Sequence, residues 1–529
     1  MKLFPYVEWD LDDATYKFAL STLSSISGDW KKGLLSISSI SRSIPRLCGV
    51  FNIGSVTLTF DNATQFFSQL KDGRAWRGRT MRIRLGDVEG PIADFQPAYT
   101  GVVDDFSFQN DEMTVTIVDN SLDLFNVPVT KTLRRLVAGG YPDTCPLYSK
   151  GELIPYVAGL CQAPVGSVDN GGQLPAYNIN EAAWIYAAAI GDVSATVENV
   201  YVYGVKQTPT TDYVVETRTP IGGGTITVFV FAADPRDLVN HTTDEVEVTW
   251  SGGSAEQRPI YQLETYLADY VGITADQLDT TSWNECKTEF DDRGYVGTLV
   301  VTKNDFTHMD VVARHLRSNG LQLFRKRNGL WALNFIGLSK SSVLTLTPKQ
   351  FVKGGFKQSS YTSDTLASRL HLNYDYNYSS PGNEFFGHTP DIISAAEIIN
   401  LGSDIAVNIS LWFGRSFDGD PATPLSIGAL YLSLMRENGL LIENEIPTEF
   451  FDDIDLGDVY LDTHWAGVGA AGFTEKRIVV LGTRLTPSPA RAQLILIGYV
   501  EPDPPTDSPE LSADFGLGGG LTVEEIEAA

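Results

Sequence analysis

Across residues 51–125 the chain alternates apolar and polar residues with a period of two, and no other feature of the sequence narrows the choice of fold as far. Val56, Leu58 and Phe60 are interleaved with Ser55, Thr57 and Thr59. Successive side chains of extended backbone point to opposite faces, so such a run buries one face and leaves the other outside. Asp61-Asn62 then turns the chain. Residues 80–85 repeat the device, with Met81, Ile83 and Leu85 on one side and Arg82 and Arg84 on the other. Runs at 101–108 and 113–118 follow, separated by Gln109-Asn110-Asp111, whose turn-forming side chains favour a hairpin. A small antiparallel β unit is predicted.

The chain has 529 residues, more than one ordinary core holds, so roughly three or four domains are expected. At 43% hydrophobic and 20% charged it is globular in composition. Its 22 Tyr and 26 Phe, among many Val and Thr, favour β structure. The formal net charge of −27 argues against a nucleic-acid grip, because an acidic surface repels phosphate. From composition alone plain solubility is the first reading of this charge, and a channel wall past which DNA slides without sticking is compatible with it. Cys48, Cys145, Cys161 and Cys286 show no CxxC spacing, so reduced thiols are expected rather than a disulfide framework or a metal site. At the N-terminus acidic residues precede any apolar stretch, so no secretory signal is expected. The longest apolar run, nine residues at 182–190, is too short to span a bilayer, and the protein is expected to stay in solution.

The fold class expected is mainly β (α+β), with several antiparallel barrel or sandwich domains and a smaller α/β insert. Residues 1–130 form the first β domain and 131–252 a second, with strands expected at 201–205, 225–231 and 245–250. Residues 253–340 are the α/β insert. There Pro259 opens a helix with Ile260, Leu263, Leu267 and Tyr270 on its apolar face, and Gly272 closes it. A further helix begins at Thr307 with Asp310 in a capping arrangement. Asn328-Gly329 predicts a tight type I′ hairpin. Residues 341–500 make a C-terminal β domain, which can be discontinuous with 1–130, with strands at 370–378, 459–463, 477–481 and 492–499 and a helix opened by Thr423-Pro424. Two Pro-opened, Gly-closed helices, 259–272 and 424–439, hint at an internal duplication. Residues 501–529 are a Pro/Gly-rich tail with too little apolar content to fold alone, a linker or docking peptide.

Few motifs carry chemistry. GVGAAG at 467–472 matches the dinucleotide fingerprint, but a strand rather than the required helix follows, so a loop is expected. The acidic run Glu443, Glu445, Glu449, Asp452, Asp453, Asp455 and Asp458 is read as a solvated loop; it fails the calcium-loop register and leaves a glycosidase pair open. The six histidines, among them His308 and His315, lack a metal-binding pattern and read as ordinary core or surface residues. No nucleophile elbow or phosphate-binding loop occurs. The expectation is no enzyme, no catalytic residue, no metal and no cofactor. Arg74, Arg77, Arg79, Arg82 and Arg84 concentrate five guanidiniums in an acidic chain. They serve either internal pairing or a charge-matched contact with a neighbouring subunit.

The order of these pieces resembles the bacteriophage tail-tip and baseplate hub family. It runs from a strand, a DN turn, FFS and an Arg-rich linker through the RIRLG, YTGVV and TVTIVD strands. IPYVAG, ending at Gly159, is similar to a segment of many phage tail proteins. The Pro259 helix, Gly294-Tyr295, the Thr307 helix and the NG hairpin look like that family's α/β insert, and residues 455–460 look like its recurrent LGDVV strand. The resemblance implies a homotrimer in which two tube-like β domains per chain, 1–130 and 341–500, ring a bore and cap the tail tube. The partners it implies are the distal tail protein, the tape-measure protein and a central fibre or spike. DNA would pass through the lumen, at a virion tail tip assembled in the host bacterial cytoplasm. The alternative is a tail-associated cell-wall glycan hydrolase or carbohydrate-binding module using residues 452–458.

Overall fold

The structure, a computed structural model, describes residues 3–12, 14–19, 30–87, 91, 94–129, 146, 149, 152–159, 174–190, 197–219, 225–239, 245–250 and 257–302. It also describes 306–338, 340–352, 354–360, 366–376, 385–388, 392–393, 405–414, 422–435, 440–464, 466–467, 472–487 and 492–500. Cys145, Cys161, Gly439 and the 501–529 tail lie outside them.

The predicted β unit is present and belongs to a larger sheet. In chain order its five principal strands are Leu34–Ile37, Val56–Asp61, Thr80–Asp87, Gln96–Gln109 and Glu112–Val118. In space they run third, fourth, fifth, second, first, all neighbours antiparallel. Leu3–Asp10, Thr15–Ala19 and Trp30–Lys32 extend the sheet beyond the third strand. The period of two places Val56, Leu58, Phe60, Met81, Ile83, Leu85, Met113, Val115 and Ile117 in the core.

Near the other end of the chain the same plan recurs. Phe356–Ser360, Leu440–Ile446, Val459–Asp462, Lys476–Thr486 and Gln493–Val500 also lie third, fourth, fifth, second, first, with every neighbour antiparallel. Both fourth strands carry a register shift, at Val103/Asp105 and at Val480/Gly482. The internal echo is therefore one of sheets. The helices that hinted at duplication pack elsewhere, Pro259–Tyr266 against Thr298–Val301 and Ala422–Leu434 against Arg369–Tyr376.

A single short strand ties the two sheets. Ile40–Ser43, two residues after the first strand of sheet one, pairs antiparallel with Gly482 to Leu485 of sheet two, along the edge that Val459–Asp462 also uses. Thus the first-strand edge of sheet one leads directly into the third-strand side of sheet two. Gly49–Val50 then pairs parallel with Leu321–Arg325 and binds the same connector to the α/β insert.

The second β region is a seven-stranded sheet whose two end strands, Val205–Lys206 and Tyr213–Arg218, are joined by residues 207–212. In the insert, Pro259–Tyr266 continues through a π turn at Leu267–Val271, and Gly272 closes it at φ 86°. Thr307 caps His308–Ser318, its hydroxyl accepting from Asp310 N–H while the Asp310 side chain accepts from Thr307 N–H. The hairpin Leu321–Arg325/Trp331–Phe335 differs from the expected two-residue turn. Only Gly329 has positive φ, at 88°, and Lys326 N–H reaches Leu330 O, so this is a three-residue loop with a glycine bulge. The added residue has a use: it presents Arg327.

Candidate functional site

A charged junction forms where connector, hairpin and acidic loop meet. Asp455 sits in the loop 447–458 between the second and third strands of sheet two. One carboxylate oxygen accepts from Arg42 at 2.6 Å; the other accepts the Arg327 backbone N–H at 2.9 Å, with the Arg327 guanidinium 3.5 Å away. Arg42 also donates to Arg325 O, and Arg327 to Phe451 O and Ile454 O. Asp458 accepts the Asp455 N–H at 2.7 Å. Burial alone would raise the Asp455 carboxyl, but the Arg42 and Arg327 guanidiniums outweigh it and hold the group below the usual carboxylate range. Asp452 and Asp458, by contrast, are pushed up by burial. Lys326 pairs with Asp279 at 2.8 Å, linking the same hairpin to the Thr280–Asp292 helix that Asp279 caps.

The acidic run therefore does not read as one solvated loop. Asp455 is a buried clasp, Glu443 and Glu445 lie on the Leu440–Ile446 strand, and only part of the run faces solvent. Arg42 and Arg327, 413 and 128 positions from Asp455, escaped the sequence reading. The Arg325-Lys326-Arg327 triplet, a second dense basic cluster in an acidic chain, was a signal for Arg327; Arg42 had none.

The structure lays Arg74, Arg77, Arg79, Arg82 and Arg84 along the third strand of sheet one and the loop before it. Arg82 pairs with Asp10 at 2.6 Å and Arg84 with Glu8 at 3.3 Å, both diagonal contacts to the adjacent Leu3–Asp10 strand. Arg79 pairs with Asp12, and Arg77 with Asp105 at 2.7 Å; Arg74 donates to the Tyr16 hydroxyl at 3.1 Å. The Arg82 and Arg79 side chains remain about a third exposed.

His308 and His315 do not converge. His308 Nδ1 lies 2.7 Å from Tyr266 Oη and His315 Nε2 2.9 Å from Pro259 O; burial lowers both to about 4, so both are neutral core residues. Gly467 begins a connection between two strands, with residues 468–471 outside the described set. Among the described residues no group of three or more His, Cys, Asp and Glu side chains is placed to hold a metal ion. No helix there is long and apolar enough to cross a membrane.

No family model and no curated protein matches the chain. Solved structures do. A 43 kDa tail protein of prophage MuSo2 from Shewanella oneidensis is 10% identical at a TM-score of 0.40, over 93% of this chain and 97% of that one. A tail protein from Neisseria meningitidis MC58 is 8% identical at 0.44, over 94% and 96%. An Escherichia coli type VI secretion component, described as structurally similar to the T4 bacteriophage tail proteins gp27 and gp5, is 8% identical at 0.30, over 92% and 78%.

Proposed function

We propose that this chain is a structural hub of a phage tail tip or baseplate, assembled as a homotrimer around an open bore. The observation that carries the reading is the repeated sheet. One chain holds two sheets whose five principal strands share one order, joined so that the first-strand edge of one leads into the third-strand side of the other. Repetition in a constant sense is how a ring is built, and three copies would set six related sheets around one axis. Such a ring would match a sixfold tail tube on one side and a threefold fibre or spike on the other, with the distal tail and tape-measure proteins as neighbours. The net charge of −27 is what a DNA exit channel tolerates, since like charge removes the attraction that would stall passage. Opening would be a rearrangement of subunits biased by fibre contacts.

Particle imaging of the purified full chain tests this. A threefold ring with six similar β lobes is expected; a monomer at every concentration measured would refute it. In a peptidoglycan-release assay, no activity is expected from the wild type or from Asp453→Asn. Release that disappears in Asp453→Asn would transfer the role to a glycan hydrolase.

A further inference from the structure

Sheet two contains a buried carboxylate with no ionic partner among the described residues. Asp462 closes the Val459–Asp462 strand, and Asn444 lies on Leu440–Ile446, with two strands of the sheet between them. Curvature brings their side chains together: Asn444 Nδ2 donates to Asp462 Oδ2 at 2.9 Å and to the Tyr460 hydroxyl at 2.8 Å. Asn444, Tyr460 and Asp462 are all fully buried. Asp462 Oδ1 and Asn444 Oδ1 are enclosed as well, and neither has a hydrogen-bond partner.

The Tyr460 O–H, which here only accepts, could meet one of these two oxygens but not both, so the cluster is a donor short in a place where an unmet polar atom is costly. The charged groups on the surrounding elements do not correct it. Lys476 is the cross-strand neighbour of Asp462, yet Asp462 makes no ion pair; Arg477 bonds Lys340 O. Glu443 turns to Lys357, and Glu445 accepts from Gln493. His464 Nδ1 accepts the Ala466 N–H and its ring stacks on Phe356. Ser342–Leu346 and Gln493–Val500 carry no charged residue.

We propose that the Asn444–Tyr460–Asp462 cluster is a proton-binding site, in which a proton taken from water onto Asp462 supplies the donor the buried acceptors lack, so that sheet two is tighter in acid than in base. Burial pushes the Asp462 carboxyl up to about 6, with the Asn444 hydrogen bond opposing in part. The sign follows. A carboxyl raised on folding contributes stability that is full below its unfolded value, near 4, and lost as pH rises through about 6.

The test is Asp462→Asn in the full chain, which keeps the shape and cannot ionise. Relative to the variant, the wild-type folding equilibrium should gain roughly 25-fold between pH 8 and pH 4.5, part of the roughly hundredfold that two units allow once the pH is well below the unfolded value. An infrared band of a protonated carboxyl, titrating near 6, should appear in the wild type and be missing from the variant. Parallel pH profiles together with no such band would overturn the proposal. Should Asp462→Asn fail to fold, the wild-type band decides: its absence at pH 5 overturns the proposal. Its presence, with a midpoint moved by Tyr460→Phe, supports it.

Discussion

The two sheets share a strand order and differ in how the link between second and third strands is closed. In sheet one that link, residues 62–79, carries the helix Phe66–Lys71. Phe67, Leu70 and Trp76 are buried there, Trp76 lying 4.7 Å from Trp9 and Phe67 5.0 Å from Phe60 between ring centroids. The Asn62 side chain accepts the Phe67 N–H at 3.0 Å and starts the turn. In sheet two the equivalent link, 447–458, is closed by Asp455 between two guanidiniums. Burial of apolar area is non-directional and holds whatever touches it, whereas an ion-pair clasp fixes particular partners and depends on charge. The contacts of the first link described above stay within sheet one, whereas the second link ties sheet two to the connector through Arg42 and to the hairpin through Arg327. The first link is thus closed by apolar packing within its own sheet, and the second is a charged fastening between sheet two, connector and hairpin.

The largest effect should follow from breaking the clasp. Asp455→Ala leaves two guanidiniums buried without their carboxylate and should cost about 3–5 kcal/mol in denaturant unfolding. The wild-type contribution is present above the ordinary carboxylate range and is lost as pH falls through the lowered Asp455 value. The variant should therefore converge on the wild type in strong acid; a gap of constant size down to pH 2 would contradict the clasp. Because Asp462 acts with the opposite sign, cohesion of sheet two should peak in mildly acidic solution. The matching test of the apolar link is Leu70→Ala, for which roughly 2–3 kcal/mol is expected. That loss should not change between pH 5 and 8, since the strands and links of sheet one contain no histidine, and a pH-dependent loss would erase the contrast between the links.

Much of the architecture was legible because period-two alternation is local: Val56–Asp61, Thr80–Asp87 and Glu112–Val118 follow directly from it. So were the caps of the Thr307 and Pro259 helices, which need only neighbours a turn away. The repetition of sheets was hidden, because it is a repetition of strand order and the corresponding strands share no residue pattern. VTLTFD and LLIENEI occupy the same place in the two plans. The clasp was hidden for a different reason. An acidic run looks solvated until the chain folds a distant arginine onto it, and Arg42 sits in a Ser-rich stretch with nothing local to mark it. The hairpin at Asn328-Gly329 was located correctly and its turn mistaken, because the loop geometry answers to Asp455, which local propensity does not contain.

The smallest intramolecular effect should come from the arginine face of sheet one, and its size separates two roles. Arg82 and Asp10 are each about a third exposed, so water and salt screen their pairing, and Arg82→Ala should change unfolding of a dissociated chain by less than about 1 kcal/mol. If this face contacts a neighbouring copy, the same change also removes a guanidinium from a desolvated surface, where truncation costs about 2–5 kcal/mol and falls on dissociation. Sedimentation of Arg82→Ala at low and high salt distinguishes the two. Weakened assembly with unchanged chain stability would place the guanidiniums at the subunit boundary. Unaltered assembly would leave them as ladder pairs within sheet one, and the boundary would then have to lie along other edges of the repeated sheets.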